Sequence, residues 1–396
     1  MNEMKKHNFQ ILESSDEEIR QSRQRRRKRI LRIGLVVLVF AALLSGVLYF
    51  YHKYKTYERY EVKEEKNTEL VSESEFYDYD GNLLKVSKNG AIYTTVDGNL
   101  LWNQSFEMNV PIVDICDNYA VVAAKKGRDA FIFNTKGLEG KVETSGEIRA
   151  VEVAKQGTIA IMTERNESYY VNLYEPKGTK LVQGEMHLEN SGYPLAMSLS
   201  ADGMKLAVSL VNIKEGQADT TLNFYNFGAV GQNEIDNLVK SDSYKNEMIP
   251  RIIYFDDDHV AAISGQKVYF YKGAQKPERE KVVTLKNEIR SVVVGKRYLG
   301  LIFNEKEDSN HRLVVYDRNG KVIMTTGYKT NYTGVAFIDD SEIVFTKDEK
   351  CRICTLDGAI KYSGDLEEPI VKMTPADRSD EYYVIYERKT QRIHFE

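Results

Sequence analysis

The chain is expected to be all-β, a β-propeller of four-stranded blades following a single N-terminal transmembrane helix. Eight blades are expected, with seven as the alternative. Three observations lead there. From about Phe76 onward the sequence consists of short apolar runs rich in Val, Ile, Tyr and Phe, split by DG, NG, KG and DD turns. Runs of that kind bounded by turn residues read as strands joined in hairpins. The runs recur in groups of four with a unit of ~40 residues, the spacing of propeller blades. Finally, Ile33 to Tyr51 is nineteen residues without a charge, and at ~1.5 Å per residue such a helix crosses a hydrocarbon core of ~30 Å.

The N-terminal element comes first. Eight basic residues stand between Arg20 and Arg32, with no acid after Glu18. Basic residues on the N-terminal side of a span direct that side to the cytoplasm. The apolar stretch runs into Tyr49, Phe50 and Tyr51 rather than into small residues, so an uncleaved signal anchor is expected in place of a cleaved signal peptide. The division that follows is 1–32 as a cytoplasmic basic tail, 33–51 as the anchor, 52–73 as a juxtamembrane stalk and possible ring-closing strand, and 74–396 as an extracytoplasmic propeller. Arg25, Arg26, Arg27, Lys28 and Arg29 are expected to contact anionic lipid at the inner leaflet. The net charge of −4 leaves no general reason to expect a nucleic-acid partner.

The repeat is legible strand by strand. Seven first strands begin at Pro111, Ile148, Pro194, Pro250, Ile289, Tyr332 and Pro369, spaced by 37, 46, 56, 39, 43 and 37 residues. A second apolar run follows each of them, and a third run often ends in a glycine turn (FIFNTKG, YVNLYEPKG, LVVYDRNG, CRICTLDG). The segment 74–108 makes a first blade. The last unit stops at Glu396 after only three strands, so its outer strand is expected from the chain around 57–70. Closure of that kind leaves no free edge between the first and last blades.

Three cysteines remain. Cys351 and Cys354 have the C-x-x-C spacing of redox and zinc motifs, but they lie in an apparent strand. Positions three apart on a strand point to opposite faces, so both are read, with Cys116, as strand residues. The six histidines are scattered without metal-ligand spacing, and no metal is expected. The acidic groups Asp256-Asp257-Asp258 and Asp339-Asp340 fall at one place in the repeat, after the first strand, which makes them turn residues.

One column carries a candidate site. The second position of the seven first strands reads Ile112, Arg149, Leu195, Arg251, Arg290, Thr333 and Ile370. Three arginines near a channel mouth would suit a carboxylate, phosphate or anionic glycan. Local pairing competes with that reading, since Glu147 and Glu288 precede Arg149 and Arg290 by two residues. The segments 212–221, 238–248 and 304–311 are expected as long loops on the same face. With Tyr193, Tyr244 and Tyr332 they would supply contacts to a partner.

The hairpin DGNLLW at 97–102, echoed by PKGTKL (176–181), RNGKVI (318–323) and LDGAIK (356–361), resembles the third-to-fourth strand hairpin of PQQ-like propellers. The resemblance covers most of 75–396 and extends in architecture to signal-anchored PQQ-like or WD-repeat-like propellers of Gram-positive bacteria. The quinone enzymes of that superfamily carry a tryptophan in most blades, a vicinal disulfide and a calcium site. This chain has one tryptophan and no adjacent cysteines. The resemblance therefore implies a cofactor-free relative that acts as an envelope scaffold. In register with the other blades Trp102 falls in an outermost strand, where it is expected to pack one blade edge onto the next and to be substantially buried. The functional expectation is a non-catalytic binding or scaffolding module for a protein or envelope glycan, anchored in the cell membrane. A funnel-sited enzyme (quinone-dependent oxidoreductase or glycan hydrolase/lyase) and a transmembrane sensor are the alternatives.

Overall fold

A computed structural model of the chain describes residues 16–67, 74–187, 192–214, 216–304, 310–376, 378 and 380–396. They form two compact units, 1–55 and 56–396. In the first, one helix runs Asp16–Lys53, so the basic block and the apolar stretch are a single continuous element. Its segment Lys28–Val47, of mean hydropathy 2.5, is long and apolar enough to cross a membrane. Arg25, Arg26, Lys28 and Arg29 are exposed on it; the Arg27 side chain lies outside the described residues.

The second unit is an eight-bladed propeller. Each blade is a four-stranded antiparallel sheet: blade 1 (75–105), blade 2 (111–143), blade 3 (147–187), blade 4 (193–244), blade 5 (251–284), blade 6 (289–328), blade 7 (334–365) and blade 8 (372–395 with 60–67). Alternating apolar residues on the middle strands face the two neighbouring blades in turn, as the two-residue period of a strand requires. Thus Ile159 and Ile161 of blade 3 pack on Val121 and Ala123 of blade 2, whereas Ala160 and Met162 pack on Leu206 and Val208 of blade 4. Cys351 and Cys354 separate in the same way, one facing blade 8 and the other blade 6. Both thiols are free and buried, and burial pushes that of Cys351 up to about 12.

The glycine turns close alike in blades 1, 3, 6 and 7. Gly98, Gly178, Gly320 and Gly358 all have positive φ and donate to the carbonyls of Thr95, Glu175, Asp317 and Thr355. A side chain at Gly320 would also meet the Phe270 ring of blade 5 at 2.5 Å. Trp102 follows the first of these turns in the outermost strand of blade 1 (Leu100–Ser105). It stacks on Phe133 of blade 2 at 5.0 Å and packs at a tilt against Tyr93 at 5.4 Å. The expected blade-to-blade packing is present, with the indole half-buried rather than enclosed.

Ring closure uses the N-terminal chain. Tyr60–Asn67 pairs antiparallel with Lys389–Phe395, from Tyr60 opposite Phe395 to Asn67 opposite Lys389. Tyr57, Tyr60, Tyr362, Tyr382 and Phe395 form an aromatic cluster at the seam. Beside it, buried Lys361 donates to Glu342 and to Tyr382, both at 2.6 Å, and the Tyr382 hydroxyl donates to the other Glu342 oxygen. A buried ion pair is tolerated only when its remaining valences are satisfied in this way. Of the expected stalk, 60–67 is this strand, and 68–73 lies outside the described residues.

Two expectations about loops are corrected. Residues 212–221 lie mostly in a long hairpin, Lys205–Lys214 and Gln217–Asn226. The stretch from 238 is the outermost strand of blade 4, Leu238–Tyr244, because its alternating polar residues suit a strand with one solvated face. Tyr244 is consequently buried against Tyr269 and Tyr271 and offers no contact group. Most of 304–311 lies outside the described residues.

Candidate functional site: the central channel and its mouths

The arginine column stands at the start of the innermost strands, and its members have separate partners. Arg149 sits in a register shift between Ile148 and Ala150 and binds Glu164 through Nε (2.8 Å) and Nη2 (2.7 Å), with Glu147 at 3.0 Å. Arg290 sits in the equivalent shift of blade 6. It turns to His311 at 3.0 Å and to Asn331 instead of to Glu288. Burial and the Arg290 charge hold His311 below its ordinary pKa, so a neutral imidazole faces the guanidinium. Arg251 lies in a strand without such a shift. It makes no hydrogen bond or ion pair among the described residues. Burial lowers its pKa, and the charge of Glu152 acts in the opposite direction. Tyr193 is exposed (52%). Tyr332 packs between Tyr328 and Phe345 in the core shared by blades 6 and 7. The five residues therefore do not form one cluster.

Deeper in the channel lies an arrangement built by side chains in equivalent register. Asp114, Glu152 and Ser198 stand opposite Val121, Ala160 and Ala207 in blades 2, 3 and 4. Each accepts a backbone hydrogen bond from the next blade. The donors are Val153 N–H to Asp114 (2.7 Å), Leu199 N–H to Glu152 (3.4 Å) and Tyr254 N–H to the Ser198 hydroxyl oxygen (3.0 Å). Ser198 also donates to Glu152 at 3.4 Å. Burial raises the Asp114 pKa to about 6. It raises Glu152 well above the usual carboxylate range, with the Asp114 charge adding to the effect. Both act chiefly through desolvation, which disfavours the charged form.

A cavity of about 500 Å³ occupies the channel, lined by Asp114, Phe76, Val292, Val335 and Phe337 among others, with Lys372 paired to Asp78 at 2.9 Å. A second hollow of about 400 Å³ lies over one mouth between Asp78, Asp80, Asp117, Lys155 and Lys296. Neither is lined by histidine. Among the described residues no group of three or more His, Cys, Asp or Glu is placed to hold a metal ion. Asp256 and Asp339 are turn residues as expected. Asp256 accepts from the backbone of Asp258 and His259, and Asp339 from that of Ser341 and Glu342.

The model of a family of unknown function, DUF5711, matches residues 53–395. The chain belongs to this family. No curated protein sequence matches it. Among solved structures, this DUF5711 propeller is similar to Sqt1 of Saccharomyces cerevisiae, with 11% identity, a TM-score of 0.54 and coverage of 86% of this chain and 100% of that one. It is also similar to BamB from Moraxella catarrhalis at 12% identity and a TM-score of 0.48, covering 85% and 100%. At such identities the likeness is one of fold.

Sequence reasoning missed the Asp114–Glu152–Ser198 series. A signal was present, in that each is the lone polar side chain on its face of an otherwise apolar inner strand. The register shifts at Arg149 and Leu195 move Glu152 and Ser198 one place later than Asp114, so a gapless alignment does not bring the three together.

Proposed function

We propose that this DUF5711 member is a membrane-anchored, extracytoplasmic binding or scaffolding module, which holds a protein or envelope ligand at its channel mouths and does no chemistry in the channel. The observation that carries the reading is the use made of the channel carboxylates. Asp114 and Glu152 accept backbone N–H groups from the neighbouring blade, which is a structural use of groups that catalysis would need free. The mixed-charge mouth of Asp80, Asp117, Lys155 and Lys296 and Arg251, unpaired among the described residues, supply polar contacts around an eight-bladed frame, an arrangement suited to recognition. The basic block before the apolar helix supports a cytoplasmic N-terminus and an outward-facing propeller.

The test is photocrosslinking of the full chain in its own envelope, with a photoreactive residue at Arg251, at Asp117 or, as a control, at Glu280 on an outer strand. Discrete adducts from the mouths and none from the control support the reading; equal or absent labelling at all three contradicts it. A second reading, an enzyme in the funnel, is favoured by the raised pKa values of Asp114 and Glu152, which carry the protonated carboxyl that general acid work needs to higher pH than usual.

A further inference from the structure

Exposed aliphatic side chains recur at one place in the blades. Leu100, Leu101, Leu138, Leu181, Val322 and Ile360 are 38–63% exposed, and each is the first or second residue of an outermost strand. Strands of a blade alternate in direction, so these positions, just after the third-to-fourth turns, share one rim of the ring. Contacts between turns agree: Arg318 of such a turn in blade 6 reaches Asp256, which follows the first strand of blade 5. The turns also carry exposed Lys136, Lys177, Lys276 and Lys321. Their aspartates, Asp97, Asp317 and Asp357, fold back on their own turns. The outer edge of the rim thus carries aliphatic and cationic groups, the composition that suits a bilayer interface, while Asp117, Asp340 and Glu278 at the same end are paired with Lys296, Arg297 and Lys240.

The chain enters the propeller at the same rim. Thr56 donates to the carbonyl of Ile360 at 2.9 Å, and the Tyr57 N–H to that of Lys361 at 2.8 Å. The apolar stretch ends at Val47 and the helix at Lys53, six residues later, or ~9 Å of helix. Only Tyr54 and Lys55 intervene before Thr56, and such a link spans at most ~11 Å. Covalent reach alone therefore holds Thr56 within ~20 Å of the hydrocarbon edge, and its hydrogen bond carries Ile360 with it.

We propose that this rim docks on the lipid bilayer, its aliphatic side chains at the acyl boundary and its lysines on anionic headgroups. The inference rests on the membrane-anchor reading above and turns the Asp117 mouth toward the bilayer, leaving the Arg251 mouth, at the opposite end of the blades, for the ligand. Trp102, the chain's only tryptophan, is two residues beyond Leu100, ~7 Å along the strand, and reports on the contact.

The experiment reconstitutes the full chain into phosphatidylcholine–phosphatidylglycerol vesicles whose acyl chains are brominated near the headgroup. Flotation and tryptophan emission are measured on the same sample. Docking roughly halves Trp102 emission relative to unbrominated vesicles. In a Trp102→Phe background it quenches Ile360→Trp at least as strongly and leaves Tyr193→Trp, at the opposite end of the blade, unchanged. Flotation without quenching at either Trp102 or Ile360→Trp overturns the docking and leaves the anchor standing. Failure to float overturns both. Equal quenching at the Tyr193 position overturns a specific rim. Circular dichroism of each variant excludes unfolding as the cause.

Discussion

Two arcs of the channel wall are built from the same inner strand and closed in different ways. Across blades 2 to 4 the position facing the wall is Asp114, Glu152 and Ser198, each taking a backbone hydrogen bond from the next blade. Across blades 5 to 7 the equivalent register holds Ile253, Val293 and Ala336, opposite Ala261, Gly300 and Val344. One arc uses polar acceptors and the other apolar side chains. The difference teaches that a carboxylate in a channel is not thereby catalytic. Its partner, here an amide of the neighbouring blade, decides what it does.

Exchanging the two solutions gives the largest expected effect. Val293→Asp places a carboxylate in the apolar arc, beside Val292, Val335 and Phe337, and a charge buried there without a partner costs about 3–5 kcal/mol, read as a lower urea midpoint. Glu152→Leu comes next. It leaves the Leu199 N–H without its acceptor, at about 1–3 kcal/mol, whereas Glu152→Gln keeps an acceptor oxygen and loses less.

The pH dependence follows in size. The folded pKa of Asp114 is raised to about 6 and that of Glu152 is raised as well. Between the ordinary carboxylate range and about 6 the native state therefore holds more protons than the unfolded state, and stability falls as pH rises through that window. Asp114→Asn should flatten that part of the unfolding-midpoint profile; an unchanged slope places the titration elsewhere. The smallest effect is expected for Arg290→Gln. It removes an exposed side chain bound to a neutral His311, a change within about 0.5 kcal/mol by the same denaturation measurement.

Much of the fold was legible because blades are written in local chemistry. Glycine turns, period-two apolar runs and an incomplete last unit located all eight blades and the closing strand, and the repeat register placed Trp102 in an outermost strand at a blade edge. The candidate site was less legible. Arg149 and Arg290 stand at register shifts while Arg251 does not, so three residues alike in sequence differ in setting. Tyr244 read as a loop tyrosine because Leu238–Tyr244 is polar on alternate positions, and burial of the last ring depends on blade 5. Inter-blade acceptors such as Glu152 depend on contacts ~46 residues away in sequence, a full blade repeat, which local pattern does not encode.

The most direct test of a structural channel beneath a binding mouth is the double variant Asp114→Asn/Glu152→Gln in the anchored full chain, carrying the photoreactive residue at Arg251. The account predicts that the envelope adduct persists at wild-type yield while the pH-dependent part of the stability disappears. Loss of the adduct with the unfolding midpoint and its pH profile unchanged would contradict it, because the carboxylates would then serve the ligand and not the ring.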